Sequence, residues 1–600
     1  MMVPTKLRAF HEAPMLDLLT APIAAHLARH LGVPEASVAT LLMPPAKGVA
    51  ADLALPCFQL AKAKGVPPPT MATEIAGELS SAGLGIQAVA AGPFCNLTFT
   101  TAGVATALLP TLAREPKAAL TSAVGRGKTV CIDFSSPNIA KHLAFHHIRS
   151  TMIGNALAHL YAAVGWNVKR INFLGDWGTA FGRLIAGWKR EGLTLASLDC
   201  APDRVTFLND LYVRISQAAK EDKAVEEEAR TWSKKLEDGD TEARSLWQIF
   251  KDASLKEFER VYGLLGVTFD SWKGEAYYED KMGPVLAELD GKGLTKLDQG
   301  ATVVDLSALG FKKPMLLKRA DGGTLYATRD LAACDDRFAE FAFDRSLYVV
   351  DLGQSLHFKE WFACAKLMGR PYADRLRHIG FGVVLIWNDE ENAWAKGRTR
   401  GGKIMLLREV LEEAVDRARA VIAEKNPDIT GEERERIAAA VGMGAVVFND
   451  LKNGRTGDVK FKFEEALRFD GETGPYLQFA HARLCSIERK FAEAHPSAPV
   501  ADFAKLTRLD EKSVLLAIAR LRMALEKAVE SDEPSALATG LLSLAGEVAS
   551  WLTAGNHDHD ARVLCADASV SATRLALVRA ARSSLGEGLR LMGLKAPERM

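Results

Sequence analysis

Several protein classes leave no mark on this sequence. No two cysteines form a C-x-x-C pair. The eight (Cys57, Cys95, Cys131, Cys200, Cys334, Cys364, Cys485 and Cys565) are scattered, most of them in apolar surroundings such as Pro-Phe-Cys95 and Val-Cys131-Ile. This excludes a disulfide-stapled scaffold and a thiolate zinc site, and fits reduced, buried thiols. Nor is there an excess of one charge, since 75 Lys and Arg balance 75 Asp and Glu. Such a balance neither advertises nor forbids a nucleic-acid partner, because RNA needs cations only where its phosphates lie. No run reaches the roughly 18 consecutive apolar residues of a membrane span. The opening Met-Met-Val-Pro-Thr-Lys-Leu-Arg has no apolar leader core and no Arg/Ser-rich transit character. A soluble, cytoplasmic protein with no membrane partner is expected.

The 600 residues, 48% hydrophobic and 25% charged, suffice for several domains with a large common core. Residues 1–115 read as a small α/β module, with helical patterns over 16–31 and 70–81 and a strand over 85–90, punctuated by Pro44, Pro45 and Pro67 to Pro69. Over 116–405, short apolar runs at 128–134, 168–173, 346–350 and 379–386 alternate with helical patterns, one of them from about 141 to 164. Buried strands alternating with helices predict a mostly parallel, Rossmann-like sheet with insertions. From 406 to 600 strand signals vanish and six amphipathic helices are predicted, with breaks at Asn426-Pro and Gly471-Glu-Thr-Gly-Pro475. The fold class expected is multidomain α/β with an all-α helical bundle at the C-terminal end. The charge-dense 220–240 stretch reads as a solvated helix of an insertion.

In an open parallel sheet, ligands bind beyond the carboxyl ends of the strands, and the densest polar cluster falls at such an end. It runs Asp133-Phe-Ser-Ser-Pro-Asn138-Ile-Ala-Lys141-His142-Leu-Ala-Phe-His146-His147-Ile-Arg149. Three histidines, a lysine and an arginine within nine residues exceed what helix capping needs. A helix start there would suit phosphate, while Asp133 and Asn138 could hold a cationic substrate. Further clusters are Thr324-Leu-Tyr326-Ala-Thr-Arg-Asp330 and Val350-Asp351-Leu-Gly-Gln354-Ser-Leu-His357; a lone Asp in either would read as a cap or an ion-pair partner. Trp394-Ala-Lys396-Gly-Arg398-Thr-Arg400-Gly-Gly-Lys403 sets four cations among glycines. It reads equally as a loop that clamps phosphates and as an exposed basic turn. Other candidates fail. Gly442-Met-Gly444 lies inside a helical pattern, and Gly127-Lys-Thr129 has Ser122 where a phosphate loop needs glycine. His557-Asp-His-Asp560 reads as a polar inter-helix loop, so no tightly bound protein metal is expected.

Taken in order, these strings resemble those of class I aminoacyl-tRNA synthetases, in particular the arginine branch. Ser136-Pro-Asn-Ile-Ala-Lys141, Ile148-Arg-Ser-Thr-Met-Ile-Gly154 and Leu174-Gly-Asp-Trp-Gly178 carry the likeness, as do Leu325-Tyr-Ala-Thr-Arg-Asp330, Gln354-Ser-Leu-His-Phe358, Gly474-Pro-Tyr-Leu-Gln478 and Ala596-Pro-Glu-Arg-Met600. The resemblance spans nearly the whole chain. It implies a tRNA-contacting module over 1–115, a catalytic domain over 116–405 and an anticodon-binding domain over 406–600, in a protein that works as a monomer. The implied substrates are L-arginine, tRNA(Arg) and ATP with Mg2+. By motif position, arginine would be held by Asp133, Asn138, Tyr326, Asp330 and Gln354. The ATP phosphates would be held by Lys141, His142, His146 and His147, with Lys396, Arg398 and Arg400 closing over the pyrophosphate. Two departures stand out. The family's H-x-G-H signature reads Ala144-Phe-His-His147, and its lysine-rich loop reads Lys396-Gly-Arg398-Thr-Arg400. The first motivates a rival reading, a catalytically impaired RNA-binding or regulatory paralogue.

Overall fold

The structure is a computed structural model that describes residues 15–319, 326–388, 392–396, 405–497 and 499–600. Its first unit is a three-stranded antiparallel sheet in the order β1 (Leu53–Pro56), β3 (Phe94–Phe99), β2 (Ile86–Ala91). Around it lie α1 (Asp17–Leu31), α2 (Glu35–Ala39), α3 (Phe58–Lys64), α4 (Pro68–Ser81) and α5 (Thr101–Arg114). Sequence periodicity gives α1, α4 and β2 nearly to the residue.

The central unit is a parallel four-stranded sheet in the order β10 (Leu376–His378), β9 (Arg345–Tyr348), β4 (Thr129–Asp133), β5 (Asn167–Ile171). From β4 the chain crosses by α6 (His147–Ala163) to β5, and later returns to β9 on the other side of β4. The strand order therefore reverses at β4, the kind of switch point where open α/β sheets leave a crevice. Side chains of β4 divide between two cores: Val130 and Ile132 join the large core that runs through the whole molecule, whereas Cys131 joins a smaller one. Burial on both faces explains why β4 reads as an unbroken apolar run. The smaller core is roofed by α12 (Met282–Gly291), α13 (Tyr326–Phe341) and α14 (Ser355–Leu367).

Two insertions leave this sheet. One is helical: α7 (Thr179–Arg190), α8 (Leu195–Asp199), α9 (Arg204–Glu221), α10 (Lys223–Glu237) and α11 (Thr241–Leu265). The charge-dense stretch forms the end of α9 and α10, yet Val225, Ala229, Trp232 and Leu236 are buried. The other insertion is the antiparallel sheet β6 (Thr295–Asp298), β7 (Ala301–Val304), β8 (Met315–Lys318).

Four expectations need correction. The apolar run at 379–386 is not one strand: β10 ends at His378, and β11 (Val384–Asn388) belongs to a different sheet with β12 (Ala393–Ala395) and β13 (Val459–Phe461). Gly380 and Gly382 carry the chain between them. β13 also breaks the all-α reading of the last third; its three residues are too few to show a period of two. Third, the helix read from 141 begins only at His147, because Ala140 has a left-handed φ of 59° and residues 143–145 pair instead with 405–407. The last concerns Gly471 to Pro475, where the break holds for 471–473 but the next helix starts at Gly474 and not at Phe479. Thr473 caps α18 (Gly474–Ala494) by accepting from the Tyr476 N–H, and Pro475 sits in the first turn, where its missing N–H costs nothing.

The remaining helices are α15 (Leu407–Lys425), α16 (Gly431–Leu451), α17 (Phe463–Ala466), α19 (Leu509–Ser531), α20 (Ser535–His557) and α21 (Ala568–Leu591). α20 is the one described helix long and apolar enough to cross a membrane, but its Leu537, Leu541, Leu544 and Trp551 are core residues. α6 contacts α16, α19 and α21, so the helix leading out of the first strand is also a seam to the helical domain.

Candidate active site

Beyond β4 the backbone is strained: Ser135 and Ser136 have φ of 68° and 46°, followed by Ala140. Positive φ at non-glycine residues persists only where the surroundings impose it, and here they do. The Ser135 N–H donates to Ser150 Oγ at 2.9 Å, and Ser135 Oγ lies 2.8 Å from Thr151 Oγ1 and 2.7 Å from the Tyr262 hydroxyl. Ser150 and Thr151 belong to α6, which comes this close because Gly154 faces Phe134; a Cβ there would sit 2.2 Å from the ring.

This loop forms one wall of a cavity of about 550 Å³ at the carboxyl ends of β4 and β9. Ser136, His146, His147, Arg149, Asp351 and Lys396 supply its polar lining, and Val349, Val350, Phe381 and Val384 much of the apolar part. His146 is the residue just before α6, and its ring stacks on that of His147 with centroids 4.2 Å apart. His147 Nδ1 lies 3.0 Å from the Ala144 backbone nitrogen and 3.1 Å from its carbonyl oxygen, so the turn itself holds the ring. Burial, and then the neighbouring His146, lowers the His147 pKa to about 4. Burial also lowers that of His146, against the pull of Asp351. Both rings are therefore neutral at pH 7. Arg149 forms the floor, fully buried, with Nη1 donating to the carbonyls of Gly382 (2.7 Å) and Gly457 (2.9 Å).

Lys141 and His142 lie elsewhere. His142 Nε2 hydrogen-bonds with Thr206 Oγ1 at 2.8 Å and lies 3.8 Å from Asp203. Lys141 Nζ stands 5.7 Å from the Tyr212 ring of α9. Both turn to the helical insertion because the chain from 141 to 146 is a loop and not a helix face. Lys396 is exposed on the cavity rim. Arg398 and Arg400 lie outside the described residues.

Beside the cavity is an acidic cluster. Asp133 is buried, with Oδ1 accepting from Ser136 Oγ (2.8 Å) and Oδ2 paired with Arg337 (2.8 Å). Burial raises its pKa, the Arg337 guanidinium opposes this, and Asp330 adds to the rise. Glu275 is pushed up to about 7, mainly by burial, with Arg329 opposing and Asp176 and Asp330 adding. Its nearest cation is Arg329, at 3.4 Å. Asp330 shares α13 with Tyr326, four residues earlier on the same helix face. Tyr326 is largely exposed. Asp330 Oδ2 lies 2.6 Å from His357 Nε2, three residues beyond Gln354, which is itself exposed. Asn138 is exposed as well, and its Cα pairs with that of Gly175, where a Cβ would lie 2.0 Å from Asn138 Oδ1.

Sequence reasoning missed Glu275 and Arg337. Neither stands in a recognisable string, and Arg337 reads as one more charge on an amphipathic helix. Among the described residues no three His, Cys, Asp or Glu gather as a metal site.

Three family models match the chain end to end: the arginyl tRNA synthetase N terminal domain over 17–99, the catalytic domain of class I (R) tRNA synthetases over 110–463, and the DALR anticodon binding domain over 477–600. Arginine--tRNA ligase 2 of Bacillus anthracis is 40% identical over 94% of this chain and 96% of its own length. An arginine--tRNA ligase of Exiguobacterium sp. is 41% identical with the same coverage. The solved arginyl-tRNA synthetase of Thermus thermophilus superposes with a TM-score of 0.73 at 26% identity, covering 97% of this chain and 99% of that one. The rival reading, an impaired paralogue, gains nothing from these matches. With that architecture and these relatives, the chain belongs to the arginyl-tRNA synthetase family of class I aminoacyl-tRNA synthetases.

Proposed function

We propose that the cavity and the acidic cluster beside it activate L-arginine with ATP and pass it to the 3'-terminal ribose of tRNA(Arg). The arginine carboxylate attacks the ATP α-phosphorus in line, and pyrophosphate leaves. The aminoacyl group then moves from AMP to the ribose, releasing AMP. Little covalent work falls to side chains in such transfers; positioning and charge stabilisation carry them.

The roles follow from placement. His147 and His146 offer neutral imidazoles to the nucleotide, and Lys396 offers a cation at the rim. Mg2+ comes with the ATP phosphates as part of the substrate, since such ions keep several waters and few protein ligands. Arg398 and Arg400 would act over pyrophosphate, as would Lys141 if it swings from Tyr212. His142, tied to Thr206 and Asp203, has no direct part in this reading. For arginine, Asp133 and Glu275 already face Arg337 and Arg329, which leaves Asp330, with Tyr326, as the carboxylate for the guanidinium. Asn138 and Gln354 would bind the amino-acid end. Asp133 then positions Ser136 and the strained loop more than it touches substrate.

One observation carries the proposal. Ser136 both lines the nucleotide-sized cavity and donates to Asp133 of the acidic cluster, so the anion and cation subsites share a wall. We assign the protein to the cytoplasm and to a monomeric state. Arginine-dependent ATP–pyrophosphate exchange, measured with and without cognate tRNA, is the test. Exchange that needs arginine and tRNA is expected; none under any tRNA condition would overturn the activity.

A further inference from the structure

His357 Nε2 lies 2.6 Å from Asp330 Oδ2, and both side chains are part-buried. Of the other acids of the cluster, Asp133 and Glu275 are matched by arginines, which stay charged at every working pH, and Asp176 by Lys251. Asp330 is matched by a group whose charge can be withdrawn. The charges acting on His357 are Asp330, from α13, and Glu360, one turn along its own helix. Its ring edge meets Phe358, which in turn stacks on His378 of β10, and burial leaves the His378 pKa lowered. The facing groups are thus two carboxylates and one uncharged imidazole.

From this geometry we infer that His357 is a specificity-determining residue for arginine: it holds the Asp330 carboxylate in the empty site and yields it to the substrate guanidinium. The inference rests on the assignment of Asp330 to the arginine subsite. A ligand without a full positive charge would have to separate an existing ion pair and offer nothing equivalent in return. A guanidinium replaces the imidazolium with a planar fork that matches a carboxylate by two hydrogen bonds. Glutamine at 357 can still donate a hydrogen bond but cannot compete as a cation.

The proton traffic has a definite sign. In the empty site burial disfavours the imidazolium, but the Asp330 hydrogen bond and charge overcome this, and the His357 pKa stands above its ordinary value. When the guanidinium takes Asp330, that support is shared and the pKa falls. Between the two values binding releases a proton from His357 Nε2 to solvent, so affinity rises with pH by up to about tenfold per pH unit.

The test is calorimetric titration of L-arginine into the full chain, with tRNA and a non-hydrolysable ATP analogue present, from pH 5.5 to 8.5. Buffers of different ionisation enthalpy count the protons released. Wild-type protein is expected to release a proton near neutrality and bind more weakly at acid pH. His357→Gln is expected to lose both the release and most of the slope. Its arginine KM should become flat with pH while kcat changes little, and it should admit citrulline more readily. Wild-type binding without proton release would overturn the inference and leave the arginine subsite standing; this reading needs no variant to fold. Binding with release that persists in His357→Gln would move the role to another group. Failure of wild type to bind arginine at any pH would overturn both this inference and the function proposed above.

Discussion

Arg149 and Asp450, 301 residues apart in sequence, meet at 2.7 Å as a buried ion pair that joins the floor of the cavity to α16. The same guanidinium donates to the carbonyls of Gly382, Gly457 and Arg455. Arg455 in turn donates to the carbonyls of Gly380 and Asp532. The two cations together tie α6, the β10–β11 link and the turn between α19 and α20.

Removing one side of such a pair strands the other charge in the interior, at a cost of about 3–5 kcal/mol. Asp450→Ala should therefore lower the melting temperature by several degrees. Because the freed Arg149 also carries the cavity wall at Gly382, the KM for ATP should rise. Thermal denaturation and ATP-dependence kinetics check this; an unchanged melting temperature would mean that the pair adds nothing.

Much of the fold was legible in the sequence, but the site was less so. β4 and β9 are buried on both faces and read as apolar runs, whereas β5 is a half-buried edge strand that carries Lys169 and Arg170; the long helices of the last third repeat apolar residues at helical spacing. The cluster from Asp133 to Arg149 was visible because its polar residues are too dense for a cap. Its internal geometry was hidden, since periodicity cannot see the left-handed Ala140 or the pairing of 143–145 with 405–407. Hence Lys141 and His142 were expected on a helix end and stand on a loop facing α9. The partners of Asp133 and Glu275 come from residues distant in sequence, where no local string carries a signal. Tyr326 and Asp330 come from the family resemblance, and their four-residue spacing agrees with the one helix that carries both.

His147 makes stability depend on pH. Its pKa is near 4 in the fold, against roughly 6.5 unfolded. Between these values the unfolded chain holds more protons, so stability is complete above about pH 6.5 and falls as pH drops toward 4. This one group accounts for at most roughly 3 kcal/mol. His147→Gln should flatten the acid limb of the melting-temperature curve, whereas a limb identical to wild type would place the titration on another group, such as His159, also lowered to about 4. Because neutral imidazole is already the form present, the rate should show no His147 titration above pH 6.

His146 stands where the family signature has glycine. Its ring packs on His147 with centroids 4.2 Å apart, and it directly precedes α6. Glycine there would remove the stack and loosen the helix entry, at roughly 0.5–1 kcal/mol for the backbone alone. His146→Gly should therefore give no gain in exchange rate and a higher KM for ATP. A clear gain in rate would show that the imidazole obstructs the nucleotide.

We propose Asp330 as the residue on which arginine recognition turns. Of the four interacting carboxylates, Asp133 and Glu275 face internal guanidinium groups, Asp176 pairs with Lys251, and only Asp330 faces a histidine. Asp330→Asn keeps the shape but leaves a substrate guanidinium without a counter-charge. Truncating one side of a buried charged pair costs about 2–5 kcal/mol, much of it from the stranded partner. Arginine affinity should fall by a corresponding one and a half to three and a half orders of magnitude, roughly. Discrimination against neutral citrulline should collapse with it, because the loss falls only on the charged ligand. If Asp330 were merely a partner for His357 on α14, the substitution would act on stability, at roughly 0–1 kcal/mol for an exposed pair, and leave specificity alone. Arginine activation and citrulline competition measured side by side separate the two: near-wild-type values for both would remove Asp330 from the substrate pocket.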